Sequence, residues 1–247
     1  MKDYRLNEQR IGEADVIVDI VPGGKCIPNI KIQPTSITVH MTGNPNTSAQ
    51  ANHNYMKNIN KSGKTIASWH FTVDDAKIIQ AQSTNYKTFH AGNAKGNSSS
   101  IGIEICMFDD VERQLKAYKN AIALIKVLME FHNFKQEQVV RHYDWSRKHC
   151  PAWLIEGKFG YTWEWFKQEI VKKPESLGAK EVQYKVKIIY KGTEGLNVRQ
   201  QPDIQGRIMC VVKYGEVYTI VAEKDGWGKL KSGVGWISLN GQYVQKI

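Results

Sequence analysis

Apolar and polar positions follow two different periods along the first two-thirds of the chain. Ser36-Ile37-Thr38-Val39-His40 alternates β-branched residues in the period-two pattern of a strand and ends on His40. Gly43-Asn44-Pro45-Asn46 marks a turn, and Ser48 to Ile59 reads as a helix with Ser48 as its N-cap. Ile66 to Val73 predicts a second strand. Ile101 to Cys106 predicts a third, whose alternation sets Glu104 opposite Ile103 and Ile105. The strongest helical signal runs from Asp109 to Phe131. There Leu115, Tyr118, Ile122, Ile125 and Met129 form one stripe, widened by Ala121, Leu124 and Leu128, behind a capping-box-like start at Asp109 and Glu112. Val139 to His142 is a short strand, and Trp153 to Val171 includes an amphipathic helix around Trp163, Phe166 and Ile170. Strands interleaved with helices predict an α/β domain with a central mixed sheet flanked by helices.

The pattern breaks at Lys172-Lys173-Pro174-Glu175-Ser176-Leu177-Gly178-Ala179-Lys180-Glu181, which has no periodic apolar residues and contains Pro, Ser and Gly. Short β segments separated by glycine-rich turns follow, the signature of a small all-β barrel. The predicted organisation is a first domain over 1–173, a linker over 174–181 and a barrel over 182–247.

Composition narrows the class. Hydrophobic residues make up 41% and charged residues 23%, the balance of a globular protein. No apolar run approaches the roughly 20 residues a membrane helix needs, so no membrane insertion is expected. The start, Met1 to Glu8, is polar and has no apolar signal-peptide core. The expectation is synthesis in the cytoplasm without a signal peptide, with any action outside the cell following release. The net charge of +10 is spread over both halves and favours polyanionic partners, nucleic acid or an anionic cell wall, although solubility alone also accounts for it. Cys26, Cys106, Cys150 and Cys210 lie far apart without CxxC spacing, which argues against a disulfide framework; all but Cys150 read as ordinary buried thiols.

The candidate chemistry lies in the first domain. His142-Tyr143-Asp144-Trp145-Ser146-Arg147-Lys148-His149-Cys150-Pro151 places a histidine at a strand end and a cysteine eight positions on, able to meet if the loop folds back. Zinc takes imidazole nitrogen and thiolate sulfur in one tetrahedral shell. His40, also at a strand end, can supply a third ligand, and three ligands with an open fourth position is the catalytic pattern. Glu104 is a carboxylate inside an apolar strand, costly there unless paired or used. Taken singly, each has a commoner explanation: an unrelated His–Cys pair, a histidine that simply ends a strand, a glutamate on an exposed face.

In combination with their surroundings these residues resemble the type 2 N-acetylmuramoyl-L-alanine amidases, which include phage endolysins, bacterial autolysins and peptidoglycan-recognition proteins. The resemblance spans roughly Ile30 to Trp153. Its motifs occur in order: Ile37-Thr38-Val39-His40, Ser68-Trp69-His70-Phe71-Thr72-Val73-Asp74-Asp75, Phe89-His90-Ala91-Gly92-Asn93, Ser98-Ser99-Ser100-Ile101-Gly102-Ile103-Glu104-Ile105, and His142-Tyr143-Asp144-Trp145 with Lys148-His149-Cys150-Pro151. It implies a Zn2+ cofactor on His40, His142 and Cys150, with Glu104 as the catalytic carboxylate and Lys148 beside the reacting carbonyl. Trp69 stands where some members carry a catalytic tyrosine and reads as packing. His70 and His90 are substrate-binding candidates, with a hydrogen-bonded structural role as the alternative for either. Asp144 either steadies a ligand histidine or caps its loop.

In the second domain, Leu196-Asn197-Val198-Arg199 and the elements around Gly226-Trp227-Gly228 and Gly235-Trp236-Ile237 resemble bacterial SH3-like domains attached to wall hydrolases. The resemblance implies binding to the peptide part of peptidoglycan. Trp227 and Trp236 read as core, and Tyr190, Tyr214, Tyr218 and Tyr243 as an unranked candidate surface. The expected function is zinc-dependent hydrolysis of the amide between N-acetylmuramic acid and L-alanine, by a phage or prophage endolysin acting on peptidoglycan. The alternatives are a bacterial autolysin of the same chemistry and a non-catalytic peptidoglycan-recognition protein. Nothing resembles a nucleic-acid-binding module, so no nucleic-acid partner is expected.

Overall fold

The computed structural model describes Leu6 and residues 10–172, 180–206 and 208–247. They fall into two units, 1–172 and 173–247, each with its own hydrophobic core. The first unit contains, in chain order, β1 (Arg10–Ile11), β2 (Ala14–Val18), β3 (Ser36–Met41), α1 (Ala49–Ser62), β4 (Phe71–Val73), β5 (Lys77–Gln80), α2 (Ala94–Ser99), β6 (Ser100–Ile105), α3 (Val111–His132), β7 (Val139–Arg141), α4 (His142–Ser146), α5 (Ala152–Glu156) and α6 (Trp163–Val171). Its sheet has the order β1-β2-β5-β4-β6-β3-β7. β4, β6, β3 and β7 run parallel to their neighbours in that series, while β5 is antiparallel to β4 and β1 to β2. This is the expected mixed sheet flanked by helices.

The parallel centre reads as near-continuous apolar sequence because helices cover it. Ile37, Val39, Ile101, Ile103 and Ile105 are all fully buried. β3 and β6 are in register from Ser36 opposite Ser100 to Met41 opposite Ile105, which sets His40 beside Glu104. Registered neighbours on parallel strands project to the same face, so the two side chains share one side of the sheet at its carboxyl edge.

Several predicted elements are corrected. Ser48 does cap α1, accepting from the Ala51 N–H at 3.3 Å. On α3 the cap is Asp110, which accepts from the Arg113 N–H at 2.9 Å, while Asp109 bonds Asn46 and Lys158 instead. The α3 stripe holds at Tyr118, Ala121, Ile122, Leu124, Ile125 and Leu128, which are buried as expected, and differs at its edges. Leu115 and Met129 are only half-buried, whereas Gln114 and Asn120 are buried because each satisfies backbone groups: Gln114 accepts from the Phe108 N–H at 2.7 Å, and Asn120 bonds Glu13 and Asp74. The strand predicted over Ile66 to Val73 shrinks to β4, because Ser68 and Phe89 bond each other across a loop. The amphipathic helix expected around Trp163, Phe166 and Ile170 is α6, and the same stretch also holds the short α5, which ends where Gly157 takes φ +70°.

The second unit comprises β8 (Lys180–Ile188), β9 (Leu196–Arg199), β10 (Ile208–Val212), β11 (Val217–Lys224), β12 (Trp227–Leu230), β13 (Trp236–Ser238) and β14 (Val244–Lys246). They form an all-antiparallel sheet in the order β10-β9-β13-β12-β11-β8-β14 around Val186, Ile188, Val198, Ile220 and Ile237. Most of the expected linker, 174–179, lies outside the described residues. Its last two residues, Lys180 and Glu181, are already in β8 and pair with Glu223 and Ala222. Among the described residues no helix is long and apolar enough to cross a membrane.

Candidate metal centre and active site

Three strands deliver the site. β3 ends on His40 and Met41, β6 carries Glu104 one residue from its end, and β7 hands the chain to α4, whose first residue is His142. Carboxyl ends of parallel strands are where open α/β sheets place ligands. α4 is a single turn stopped at Arg147, which takes a left-handed conformation with φ +63°. The chain then folds back so that the Tyr143 N–H donates to the Cys150 carbonyl at 2.9 Å. That return brings the cysteine to the histidines, as the His–Cys spacing required.

The Nδ1 atoms of His40 and His142 face each other at 3.0 Å, and the Cys150 Sγ lies 4.0 Å from the His40 Nδ1. One ligand atom from each of the three residues lies within 4.8 Å of the others, and all three residues are buried. Two features fit this donor set to a cation. The His142 Nε2 and the Glu104 Oε2 are buried without hydrogen-bond partners, although the Ala91 backbone lies near enough to His142 to favour its protonated form, against Lys148. Burial also pushes the Cys150 thiol up to about 12, with Glu104 adding to the rise, so the thiolate that a soft metal wants forms only if positive charge is supplied. Two imidazole nitrogens and one sulfur are a set that zinc accepts.

Burial favours the neutral form of the three clustered rings, His40, His90 and His142. Burial lowers His40 well below the usual range, His142 to about 4 and His90 to about 3. Burial raises the Glu104 carboxyl to about 7, against a lowering by Lys148. Glu104 is half-buried as a residue, with Oε2 fully enclosed. The sign for stability follows. Because Glu104 binds its proton more tightly folded than unfolded, its contribution is fully present below the unfolded value near 4.5 and is lost as pH rises through about 7. The metal-free Glu104→Gln variant is therefore expected to melt above the metal-free wild type at pH 8, with the gap closing near pH 4. Equal melting temperatures at pH 8 would show that the carboxyl is not strained by burial.

An open groove of about 450 Å³ runs past the cluster. Its walls include Ile66, Phe89, His90, His142, Ser146 and Lys148. Lys148 is exposed on the groove and its charge reaches both Glu104 and Cys150. Gly92 lines the same groove with φ +71°, and a Cβ there would stand 2.9 Å from the Ser146 Oγ and 3.2 Å from the His142 Nε2.

The structure brings His40, His142, Cys150, Glu104 and Lys148 together. It corrects His70. That residue is wholly buried, its Nδ1 accepts from the Gly102 N–H at 2.9 Å, and its Nε2 donates to the Tyr86 carbonyl at 2.8 Å. No ring atom is left for a substrate, so His70 braces β6. His90 lines the groove but both its nitrogens are engaged inside the protein, one with His40 at 2.9 Å and one with the Ser100 carbonyl at 3.2 Å. Trp69 is packing, with its Nε1 donating to Thr72 at 2.6 Å. Asp144 caps its loop, accepting from the Arg141 N–H at 2.8 Å and pairing with the guanidinium. Gly102 was not read as a site residue, although a glycine inside an apolar strand signals close approach of another group. A Cβ at Gly102 would stand 2.7 Å from the His90 ring.

Residues 31–153 match the sequence profile of the N-acetylmuramoyl-L-alanine amidase family. The solved catalytic domain of XlyA is 42% identical, with a TM-score of 0.56, and the match covers 64% of this chain and 99% of that one. The chain belongs to the N-acetylmuramoyl-L-alanine amidase family. A structure described as a mutant endolysin from Bacillus subtilis is 41% identical, with a TM-score of 0.56, and the match covers 64% of this chain and 99% of that one. The full-length amidase XlyA of Bacillus subtilis (strain 168) is 42% identical over 161 residues, covering 63% of this chain and 51% of XlyA. This amidase-family chain spans about half the length of the curated relatives it matches. Residues 194–245 match the bacterial SH3 domain.

The SH3 unit has a smaller groove, lined by Tyr190, Asn197, Arg199, Ile204, Trp227 and Tyr243. Tyr190 and Tyr243 meet edge-to-face at 5.4 Å. Of the four tyrosines expected at a surface, these two line the groove, whereas Tyr214 is simply exposed and Tyr218 bonds Glu216 at 2.9 Å. Trp236 is core, as expected, but Trp227 is half-buried and faces the groove.

Proposed function

We propose that this chain hydrolyses the amide between N-acetylmuramic acid and L-alanine in peptidoglycan, using zinc held by His40, His142 and Cys150, and that it serves as a phage or prophage endolysin acting on the wall after release. The observation that carries the reading is the clustering of those three donors, with Glu104 in register beside His40 and with His142 and Lys148 lining one groove. An inactive recognition protein has no need of a complete donor set beside a buried carboxyl. The endolysin setting is supported by the likeness to a structure described as an endolysin.

Bound there, zinc supplies Lewis acidity to a carbonyl and to water. The residues of the chain do the rest. Glu104, its carboxyl held near neutrality by burial, takes the proton of the attacking water and passes it to the departing alanine nitrogen. Lys148 lines the groove and donates to the developing oxyanion, an effect of about 3–4 kcal/mol for a well-placed donor. Ile66 and Phe89 give one wall an apolar surface for the substrate. Cys150 is a ligand, and no covalent intermediate on the chain is required.

The SH3 unit is proposed to hold the enzyme on the wall through the groove at Tyr190, Trp227 and Tyr243. Cutting the chain ahead of Lys180 is expected to give two folded parts, since each unit has its own core. The first part should keep zinc and cleave soluble muramoyl peptides at close to the full-length rate. The second should pellet with intact walls and cleave nothing. Full-length protein should surpass the first part only on insoluble wall, because tethering raises local substrate concentration. Screened attraction of basic surface to wall polyanions fades with salt, so pelleting of the second part at high ionic strength decides the matter. Loss of pelleting there would reduce the SH3 unit to a charged patch, and a first part that leaves soluble muramoyl peptides intact would overturn the amidase reading.

A further inference from the structure

His90 sits behind His40, and its surroundings dictate where its proton lies. The His90 Nε2 faces the Ser100 carbonyl at 3.2 Å and the Ser100 Oγ at 3.4 Å. The carbonyl only accepts. The Ser100 hydroxyl has already directed its hydrogen to the Gly96 carbonyl at 2.7 Å, while accepting from Thr38 at 2.8 Å. Thr38 in turn accepts from the Trp145 Nε1–H at 2.8 Å. The His90 Nε2 is therefore ringed by acceptors and must carry the ring's proton. That leaves the His90 Nδ1 as a lone pair, 2.9 Å from the His40 Nε2, which must then be the donor. A neutral His40 with its proton on Nε2 has its lone pair on Nδ1, the atom that faces His142 and Cys150.

We propose that His90 is a positioning residue that fixes the tautomer of His40, so that the His40 Nδ1 lone pair is presented to the metal site before any metal arrives. The inference rests on the zinc reading only for its consequence, tighter metal binding; the tautomer is a property of the chain alone. The enclosure is specific to a ring at this place. Gly102 leaves room that a Cβ would fill at 2.7 Å from the His90 ring, and Asn97 holds the His90 N–H at 2.9 Å. Histidines that bind metals ordinarily give their second nitrogen to a carboxylate, a carbonyl or water, and loss of such a partner lowers metal affinity about 10- to 100-fold. Here an imidazole takes that place and passes the demand on to the Ser100 carbonyl.

Two measurements on the full-length chain test this. The first is long-range ¹H–¹⁵N NMR of the histidine rings in metal-free wild-type protein, which reads tautomers without a variant. His40 and His90 are both expected as Nε2–H tautomers, and an Nδ1–H tautomer at either overturns the proposal. The second is zinc affinity by competition with a chromogenic chelator, for wild type, His90→Asn and His90→Leu. Asparagine offers an amide oxygen near the position of the lost Nδ1; leucine offers no acceptor. Affinity should fall about 10- to 100-fold in His90→Leu and recover most of that loss in His90→Asn. Equal affinities in wild type and His90→Leu, or equal losses in the two variants, overturn the proposal and leave the metal reading standing. Wild-type protein that binds no zinc defeats the metal reading and with it the proposed consequence, while the NMR result still decides the tautomer.

Discussion

Cys150→Ala is expected to lose metal and hydrolysis together, from about one zinc per chain to almost none. The sulfur is the only anionic donor in the three-residue set, and a tetrahedral site reduced to two neutral imidazoles binds zinc far more weakly. Removing the sulfur leaves the fold largely alone. Cys150 is small, and apart from its histidine neighbour its sulfur makes only long contacts to the Met41 backbone, at 3.5 Å and 3.9 Å. The loop return that positions it is made by backbone groups, the Tyr143 N–H on the Cys150 carbonyl. The check is metal content by atomic emission alongside wall hydrolysis, with circular dichroism to show that the variant is folded. A folded, zinc-free variant that still cleaves wall would remove the metal from the account.

Glu104→Gln is expected to keep zinc and fold while losing about 10²–10⁴-fold in kcat, the range for a general acid–base group. The amide is nearly isosteric, so the groove keeps its shape, but it neither takes nor delivers a proton. KM should change little, because Glu104 acts on the reacting atoms and the groove walls are supplied largely by other side chains. In the wild type, log kcat/KM should fall at low pH as the carboxylate protonates, and this limb should vanish in the variant. Bound cation lowers the titration from the metal-free value near 7, so the limb should lie below that value. Near-wild-type turnover in Glu104→Gln would make the residue structural.

The candidate histidines were legible because His40 and His142 lie where a period-two strand pattern gives way to polar sequence. His40 stands next to last in an alternating strand, and the register of β3 with β6 then sets it beside Glu104. The helix at α1 and its cap were equally readable, since Ser48 needs only its local N–H partner. What sequence could not reveal depends on distant partners. Gln114 and Asn120 are buried on α3 because they satisfy backbone groups of other elements, which no helical wheel displays. The short strands β1 and β2 have meaning only through pairing: β1 with β2, and β2 with β5. The roles of His70 and His90 were open for the same reason. A histidine in a motif does not show which atoms its nitrogens face, and Gly102, one residue beyond Ile101, turned out to settle both: its N–H binds His70 and its missing Cβ admits the His90 ring.

The central claim is that this site cleaves one particular amide, and mass spectrometry of the fragments released from purified peptidoglycan tests it most directly. The expected products are stem peptides with new L-alanine amino termini and glycan strands that remain intact. New reducing ends on the glycan, or cuts within the stem peptide that leave the lactyl amide whole, would contradict it.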